Sequence, residues 1–244
     1  MSVEPPGTPP VLSLRGVRFH WPRAAQDVLD LEGFQVDAGE RLLVRGDSGC
    51  GKSTLLSLAA GVLVPQAGSV ALLGQDWRRL PAGQRDRRRA DHIGYIFQQF
   101  NLLPYLSVLD NVLLPCRFSR VRALRAGSAT PRLREAACAL LEELQLDATA
   151  WRRPAAELSV GQQQRVAAAR ALIGRPELII ADEPTSALDD ARRDAFMALL
   201  VRVCAEAGSA LVFVSHDARL AAHFGRVVEL PALNRAARRA EAVA

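Results

Sequence analysis

A run of nine residues has the composition of a loop that binds phosphate. Gly46–Thr54 reads Gly-Asp-Ser-Gly-Cys-Gly-Lys-Ser-Thr, which matches the pattern of two glycines separated by four residues and followed by Lys and Ser or Thr. Glycines let backbone N–H groups face phosphate oxygens, and a following helix N-terminus adds partial positive charge. Lys52 is expected to reach the outer phosphates of a nucleotide, and the Ser53 hydroxyl to hold Mg²⁺. The predicted nucleotide contacts in this loop are Gly46, Asp47, Ser48, Gly49, Cys50, Gly51, Lys52, Ser53 and Thr54.

Two adjacent carboxylates follow an apolar run later in the chain. Leu178–Ala181 leads directly into Asp182 and Glu183. A buried strand that ends here would deliver Asp182 to the shell of a Mg²⁺ ion and let Glu183 polarise an attacking water. Many strands end in Asp, so this pattern is weak alone. Together with the glycine-rich loop it predicts hydrolysis of a bound nucleoside triphosphate.

A third motif predicts a helix start at Ser159. Ser159 and Gln162 have the spacing of a capping box, and the helix is predicted to run to Gly174. A helix start that carries a serine hydroxyl and Gly161 is also a second phosphate-binding terminus. Because the first loop serves its own nucleotide, we predict that this second terminus meets a nucleotide held by another copy of the chain.

Short apolar runs without alternation must position these motifs. Arg41–Arg45 ends at the glycine-rich loop, and a helix is predicted to begin near Lys52. Leu178–Ala181 and Leu211–Val214 lie between helical segments. Continuous apolar runs are typical of parallel strands covered on both faces, so the pattern predicts an α/β fold.

The middle of the chain has a different pattern. From about Phe100 to Val160 there is no convincing strand, and Thr130 with Pro131 predicts a helix with Thr as the N-cap. We therefore expect a helical insertion in an α/β core. Residues 1–10 are predicted to be a disordered tail, 11–232 a single domain and 233–244 a C-terminal tail.

Composition narrows the class of protein. The chain has 244 residues, of which 49% are hydrophobic and 23% are charged, with a net charge of +5. These values are ordinary for a globular protein and do not require nucleic acid as a partner. The four cysteines suggest neither a disulfide framework nor a zinc site and fit a reducing compartment. The uncharged stretch Ser53–Gln75 contains Pro65 and three glycines, which argue against a membrane-spanning helix.

In this order the motifs resemble those of the nucleotide-binding subunit of an ABC transporter, over roughly residues 11–230. Leu158–Leu172 resembles the family's signature sequence, and Ala181–Asp189 resembles its second acidic motif continuing into the D-loop. Three single residues match further positions of the family. They are Gln98 for the Q-loop glutamine, His216 for the switch histidine, and Trp21 for the aromatic residue against adenine.

The resemblance implies a P-loop NTPase with a RecA-like core, an inserted helical subdomain at about 99–161 and a small antiparallel β subdomain. It implies an ATPase that uses ATP and Mg²⁺, and a homodimer with two ATP molecules held head to tail between the copies. The implied catalytic residues are Lys52, Gln98, Glu183 and His216. The implied metal contacts are Ser53, Gln98 and Asp182. The implied nucleotide contacts beyond the loop are Trp21, Ser159, Gly161, Gln162 and Asp189.

Phe97–Pro115 resembles the subgroup that serves lipoprotein-release and macrolide-efflux exporters. That likeness implies a few-helix permease as partner and a place at the cytoplasmic face of the inner membrane, with a periplasmic adaptor left open. It also leaves open a regulatory ABC ATPase of the cell-division type, which changes a membrane partner's conformation without transport. A chromosome-maintenance ATPase would need a long coiled coil, and the sequence has no such heptad run.

The sequence departs from the family pattern in two places. Val160 stands where the first of two signature glycines is usual, and Asp47 replaces a common proline in the phosphate loop. The hydrolytic set is intact, so an active enzyme is expected. The arginine cluster Arg85–Arg89, with Arg78 and Arg79, is interpreted as a solvated face balanced by Asp86 and Asp91, with contact to a partner as the alternative.

Overall fold

The computed structural model describes residues 9–24, 26–186 and 188–236, and within them two sheets and eight α-helices. The strands are Leu12–Phe19 (β1), Leu29–Val36 (β2), Arg41–Arg45 (β3), Ala67–Leu72 (β4), Gln75–Asp76 (β5), Ile93–Ile96 (β6), Leu178–Asp182 (β7), Ala210–Ser215 (β8) and Arg226–Glu229 (β9). The α-helices are Lys52–Ala59 (α1), Ala82–His92 (α2), Val108–Phe118 (α3), Arg120–Arg125 (α4), Thr130–Glu143 (α5), Val160–Leu172 (α6), Asp190–Ala207 (α7) and Leu230–Leu233 (α8).

A five-stranded sheet carries the nucleotide motifs. Its order is β6-β7-β8-β3-β9, and every pairing between neighbouring strands is parallel. In the central strands, alternate residues enter the two cores that cover the faces of the sheet. In β7, for example, Ile179 packs into one core and Ile180 into the other. The predicted parallel strands are confirmed, because residues buried on both faces must be apolar throughout.

A second sheet is antiparallel, with strand order β2-β1-β4-β5. Helix α1 lies between this sheet and the parallel sheet, and Leu55, Leu56 and Leu58 fill the shared core together with Trp77. The predicted combination of an α/β core with a small antiparallel subdomain is therefore confirmed. The glycine-rich loop lies where the end of β3 meets the start of this buried helix.

Helices α3, α4 and α5 supply the predicted helical insertion. Residues 100–160, all of them described, contain no strand and only an isolated bridge between Ser107 and Pro154. One detail of the prediction is wrong: the N-cap of α5 is Ala129 rather than Thr130, and its side chain makes no cap. Ser128 has φ 64, which turns the chain one residue earlier than the Thr-Pro pattern indicates.

The ends of the chain lie partly outside the described residues. Residues 1–8 of the predicted N-terminal tail and 237–244 of the predicted C-terminal tail are not described. Asn234, which the sequence assigns to the C-terminal tail, is only 1% exposed. Its side chain donates to Val28 O at 2.8 Å and accepts from Asp30 N at 2.9 Å. These bonds join the chain near its end to β2 and the residue before it.

Three arginines of α2 donate hydrogen bonds to backbone carbonyls. Arg85 donates to Leu80 O, Arg88 to Leu72 O and Arg89 to Ala60 O. Only Asp86 pairs as expected, with Arg89, whereas Asp91 accepts from Ser119. No residue of α2 is buried, which agrees with a solvated face, but only one of the two expected counter-charges pairs with an arginine of this helix. Among the described residues, no helix combines the length and apolar character that crossing a bilayer requires.

Candidate nucleotide site

The glycine-rich loop leaves the start of α1 open to an anion. The N-cap of α1 is Gly51, which makes no side-chain cap, and the first turn has no acidic residue. Its first N–H groups therefore have no side-chain acceptor, which is the arrangement that binds phosphate. Glycine is required at residue 51, where φ is 102° and a Cβ would lie 2.9 Å from Leu29 Cδ2.

Lys52 folds back over this loop. Its Nζ donates to Gly46 O at 2.7 Å and to Asp47 O at 2.9 Å, and it lies 3.6 Å from Glu183 Oε1. The Lys52 residue is only 7% exposed. Asp47 therefore accepts from the Lys52 ammonium through its backbone carbonyl, and Asp47 itself is exposed. The positive charge lies between the loop and the carboxylate that follows β7.

Two carboxylates lie at the carboxyl end of β7. Burial raises the pKa of Asp182, and the neighbouring Glu183 adds to the rise while Lys52 opposes it. Glu183 has φ 44, a left-handed conformation that costs free energy in a residue with a side chain, and its N–H donates to Val214 O at 3.0 Å. His216 Nδ1 lies 3.2 Å from Glu183 Oε2. Glu183 is thus placed between a lysine and a histidine.

Lys52, Asp182 and Glu183 open onto one cleft of about 450 Å³, whereas His216 contacts Glu183 from outside its lining. Its lining consists of Trp21, Val28, Ser48, Gly49, Gly51, Lys52, Ser53, Thr54, Gln98, Asp182 and Glu183. Trp21 is 45% exposed and packs edge-on against Phe19, with ring centroids 5.4 Å apart. The exposed indole at the rim suits stacking on a base. The open helix start suits a phosphate chain, and the paired carboxylates suit a cation.

Other predicted site residues lie outside the lining of this cleft. Ser159, Gly161 and Gln162, all described, are at the start of α6, where Ser159 and Gln162 form the predicted capping box. Asp189 caps α7 by accepting from Arg192 N at 2.9 Å. Within the loop, Gly46, Asp47 and Cys50 do not line the cleft, and Cys50 packs partly buried against the core around α1.

A sequence model of the ABC transporter family matches residues 30–186, which include the phosphate loop, the start of α6 and the paired carboxylates. The chain belongs to the ABC transporter family. It is accordingly an ATP-binding and ATP-hydrolysing protein of the P-loop type.

Relatives of this ABC ATPase agree over most of its length. It is 41% identical over 223 residues to the lipoprotein-releasing system ATP-binding protein LolD 2 of Caulobacter vibrioides, covering 91% of this chain and 94% of that one. It is 40% identical over 226 residues to the macrolide export ATP-binding/permease protein MacB of Burkholderia pseudomallei. That match covers 91% of this chain but only 33% of MacB, so the chain spans about a third of that relative.

A solved structure supports the fold and adds a nucleotide. The post-hydrolysis dimer of the ATP-binding cassette MJ0796, bound to ADP and Pi, has a TM-score of 0.78 and 33% identity to this chain. The similarity covers 89% of this ABC ATPase and 93% of the MJ0796 chain. The ABC-type P-loop architecture expected from the motifs is therefore confirmed.

Three residues of this ABC ATPase that line the cleft or contact segments of the site were not predicted from the sequence. Val28 lines the cleft. Buried Gln164 donates to Pro184 O, directly after Glu183, and buried Arg170 donates to the carbonyls of Phe100 and Asn101, which follow Gln98. Gln164 and Arg170 are polar residues in a helix otherwise rich in alanine. This pattern could have indicated that both side chains bond to other segments, since buried polar groups need partners.

Proposed function

We propose that this ABC ATPase drives a membrane permease of the exporter type and works as a head-to-tail homodimer around two ATP molecules. LolD 2 and MacB, the relatives at 41% and 40% identity, are named for lipoprotein release and macrolide export. MJ0796 is a dimer in its solved structure. The permease would hold the ATPase at the cytoplasmic face of the inner membrane.

The observation that carries the dimer is the separation of two helix starts. The start of α1 opens onto the cleft, whereas the start of α6, with Ser159 and Gly161, does not line it. Both are suited to phosphate, and one nucleotide is expected for each chain. In our proposal Ser159 and Gly161 of one copy approach the nucleotide in the cleft of the other, together with Gln162 and Asp189.

The chemistry within each cleft follows from the charges. Glu183 acts as the general base for the attacking water, and its carboxylate is placed by Lys52 at 3.6 Å and His216 at 3.2 Å. Lys52 exchanges its loop carbonyls for phosphate oxygens and stabilises charge that develops there. Gln98 senses the outer phosphate, and Trp21 stacks on adenine.

The donor atoms of the cleft also fit Mg²⁺. Ser53, Gln98 and Asp182 present oxygen ligands, which hard cations prefer, and the pKa of Asp182 is raised by its burial and, to a smaller extent, by the neighbouring Glu183 carboxylate. These three residues would hold the ion. When bound, the cation neutralises phosphate charge and orients the phosphate chain.

A cross-linking experiment tests the dimer. Cysteines replace Ser48 and Ser159 in a Glu183→Gln chain from which the native cysteines have been removed. With ATP and a short bis-maleimide we expect a covalent dimer, because each Ser48 loop then faces the partner's Ser159. The chain with Ser48→Cys alone is the control. Cross-links within one chain only, or none, would contradict the head-to-tail arrangement.

A second experiment tests the general base. Glu183→Gln should bind ATP normally but hydrolyse it at least about a hundred-fold more slowly, the scale of a lost general base. The variant should also accumulate as an ATP-bound dimer in gel filtration. Turnover near that of the wild type would exclude Glu183 from this role.

A further inference from the structure

Four charged side chains form a closed ring beside the proposed catalytic pair. We define the charge ring as Asp190, Arg193, Asp217 and Arg219. Arg193 Nη1 lies 2.8 Å from Asp190 Oδ1 and 3.0 Å from Asp217 Oδ2. Arg219 Nη1 lies 2.7 Å from Asp190 Oδ2, and its Nη2 lies 2.9 Å from Asp217 Oδ2. Each carboxylate therefore contacts both guanidinium groups.

The charge ring joins two segments of the proposed site. Asp190 and Arg193 lie in the first turn of α7, directly after Asp189. Asp217 follows His216, and its N–H donates to Ser215 Oγ at 3.0 Å. The backbone around His216 is thus fixed on one side by the end of β8 and on the other by α7.

Arg193 is the buried member of the ring. Its side chain is 6% exposed, against 61% for Arg219. A buried guanidinium must keep its carboxylate partners, because an unpaired charge is strongly destabilising away from water, whereas an exposed pair is weakened by solvent and salt. Asp194 lies 3.4 Å away from Arg193 Nε as a further acceptor. Arg193 is therefore the rigid connection between α7 and Asp217.

Asp217 stays ionised under working conditions. Hydrogen bonds from the Arg219 side chain are the main cause that lowers the pKa of Asp217 to about 2, with a smaller contribution from Arg193. The Asp217 carboxylate therefore remains a partner for both guanidinium groups at neutral pH.

We propose that Arg193 is a positioning residue for His216. It acts through Asp217: the buried ion pair holds the backbone turn from which the His216 imidazole reaches Glu183 at 3.2 Å. The inference rests on the proposed roles of Glu183 and His216. It adds that the first turn of α7, next to Asp189, sets the place of the imidazole, so that a shift of this turn moves His216.

The test compares two arginines of α7 in the full-length chain. Arg193→Gln should lower kcat for ATP by about ten-fold or more, the scale of a misplaced catalytic group, with KM changed less than two-fold. Arg202→Gln is the matched control, since Arg202 pairs with Glu206 on the exposed surface. Arg193→Lys should keep most of the activity because the cation remains. Equal kcat for Arg193→Gln and Arg202→Gln would overturn the proposal.

A double variant separates positioning from general loss of structure. If Arg193 acts only through His216, Arg193→Gln in a His216→Ala chain should cause no further fall in kcat. A further fall of similar size in that background would overturn the proposal. Should Arg193→Gln fail to fold in a thermal unfolding assay, Asp217→Asn breaks the same pair from the other side and is expected to give the same pattern.

A spectroscopic measurement is independent of catalysis. The ¹⁵N resonances of the His216 ring, assigned by their loss in His216→Ala, should move in Arg193→Gln and stay in place in Arg202→Gln. Unmoved resonances would overturn the positioning role. Wild-type turnover of His216→Ala would instead remove His216 from the proposed mechanism, and the ring resonances would still decide whether Arg193 positions it.

Discussion

The two ends of α6 are satisfied in opposite ways. At its start, the side chains of Ser159 and Gln162 bond to each other's backbone within a single turn. Val160, the residue after Ser159, is 49% exposed. At its end, the carbonyls of Arg170, Ala171 and Ile173 accept from the side chain of Arg122, which α4 contributes from about 50 residues away. One end is closed by a local motif and the other by a buried cation.

The difference shows which end of α6 is available to a partner. Arg122 is 3% exposed, and burial lowers its pKa to about 10, so it remains a cation at the carboxyl end of the helix, where the helix dipole favours positive charge. The carboxyl end of α6 is therefore held in the core by Arg122. The start has only its own capping box, so its N–H groups and Ser159 hydroxyl remain close to solvent. Changes at the start should therefore affect function, and changes at the end should affect stability.

The largest effect is expected at the open end. Ser159→Arg places a bulky cation where the partner's nucleotide is proposed to lie, and should lower turnover by about a hundred- to a thousand-fold, the scale of a lost transition-state contact. Loss of the N-cap should cost only about 1 kcal/mol of unfolding free energy. Steady-state kinetics and urea unfolding measure the two effects. Ser159→Thr, which keeps the hydroxyl and the cap, is the control, and strong ATPase activity in Ser159→Arg would break the comparison.

The sealed end should show the reverse pattern. Arg122→Met leaves several carbonyls buried without a donor and should cost about 3 kcal/mol of unfolding free energy. Turnover per folded molecule should change less than two-fold. The control is Arg120→Met, which removes an exposed arginine from the same helix. An unfolding free energy of Arg122→Met equal to that of the control would show that the bonds to these carbonyls do not stabilise the fold.

A smaller effect at the same end depends on pH. Burial would raise the pKa of Glu177, but hydrogen bonds from His92 and Arg125 outweigh it and lower the pKa to about 2. A carboxylate with a lowered folded-state pKa stabilises the fold above its ordinary pKa of 4.5 and loses that effect as the pH falls towards 2. Glu177→Gln should thus cost about 2 kcal/mol at pH 7, with the difference shrinking below pH 4.5.

Urea unfolding between pH 3 and pH 7 measures this difference for Glu177→Gln. Glu157→Gln, which removes an exposed partner of Arg153, serves as the control. A Glu177→Gln deficit that stayed constant over this range would contradict the assignment.

The smallest predicted effect concerns Val160. Replacing it by glycine removes the side chain that stands in place of the usual signature glycine, and should let the helix start approach phosphate more closely. In a Glu183→Gln background we expect the ATP-bound dimer to form about three-fold more readily, roughly 0.6 kcal/mol. Analytical ultracentrifugation at several protein concentrations measures this. Val160→Ala is the control, and an equal gain in it would show that bulk alone matters.

The features found from sequence are those encoded in local patterns. The strand Arg41–Arg45, the helix start at Lys52 and the Ser159–Gln162 capping box depend on neighbouring residues, and the structure shows all three. The family resemblance supplied the order of the motifs. The proposed roles of the site residues remain predictions, since geometry places them but does not test them.

The contacts that the sequence did not reveal are long-range ones. Arg122 bonds to α6 across about 50 residues, and Arg170 bonds to Asn101 across 69. No periodic pattern indicates which carbonyl a buried arginine will meet. Likewise, nothing in the sequence indicates that Asp217 pairs with Arg193. The α5 start was misplaced because a left-handed Ser128 is not encoded by the Thr-Pro pattern that follows it.

The bonds from Asn234 have a consequence for the time course of synthesis. Asn234 fixes the backbone of Val28 and Asp30, and Val28 is one wall of the nucleotide cleft. These partners are separated by 206 and 204 residues, and at about 5–20 residues per second a ribosome needs roughly 10–40 seconds to pass from one to the other. The phosphate loop is therefore synthesised long before Asn234 is available to hold Val28 in place. The two bonds that hold this wall of the cleft can form only after residue 234 has been synthesised.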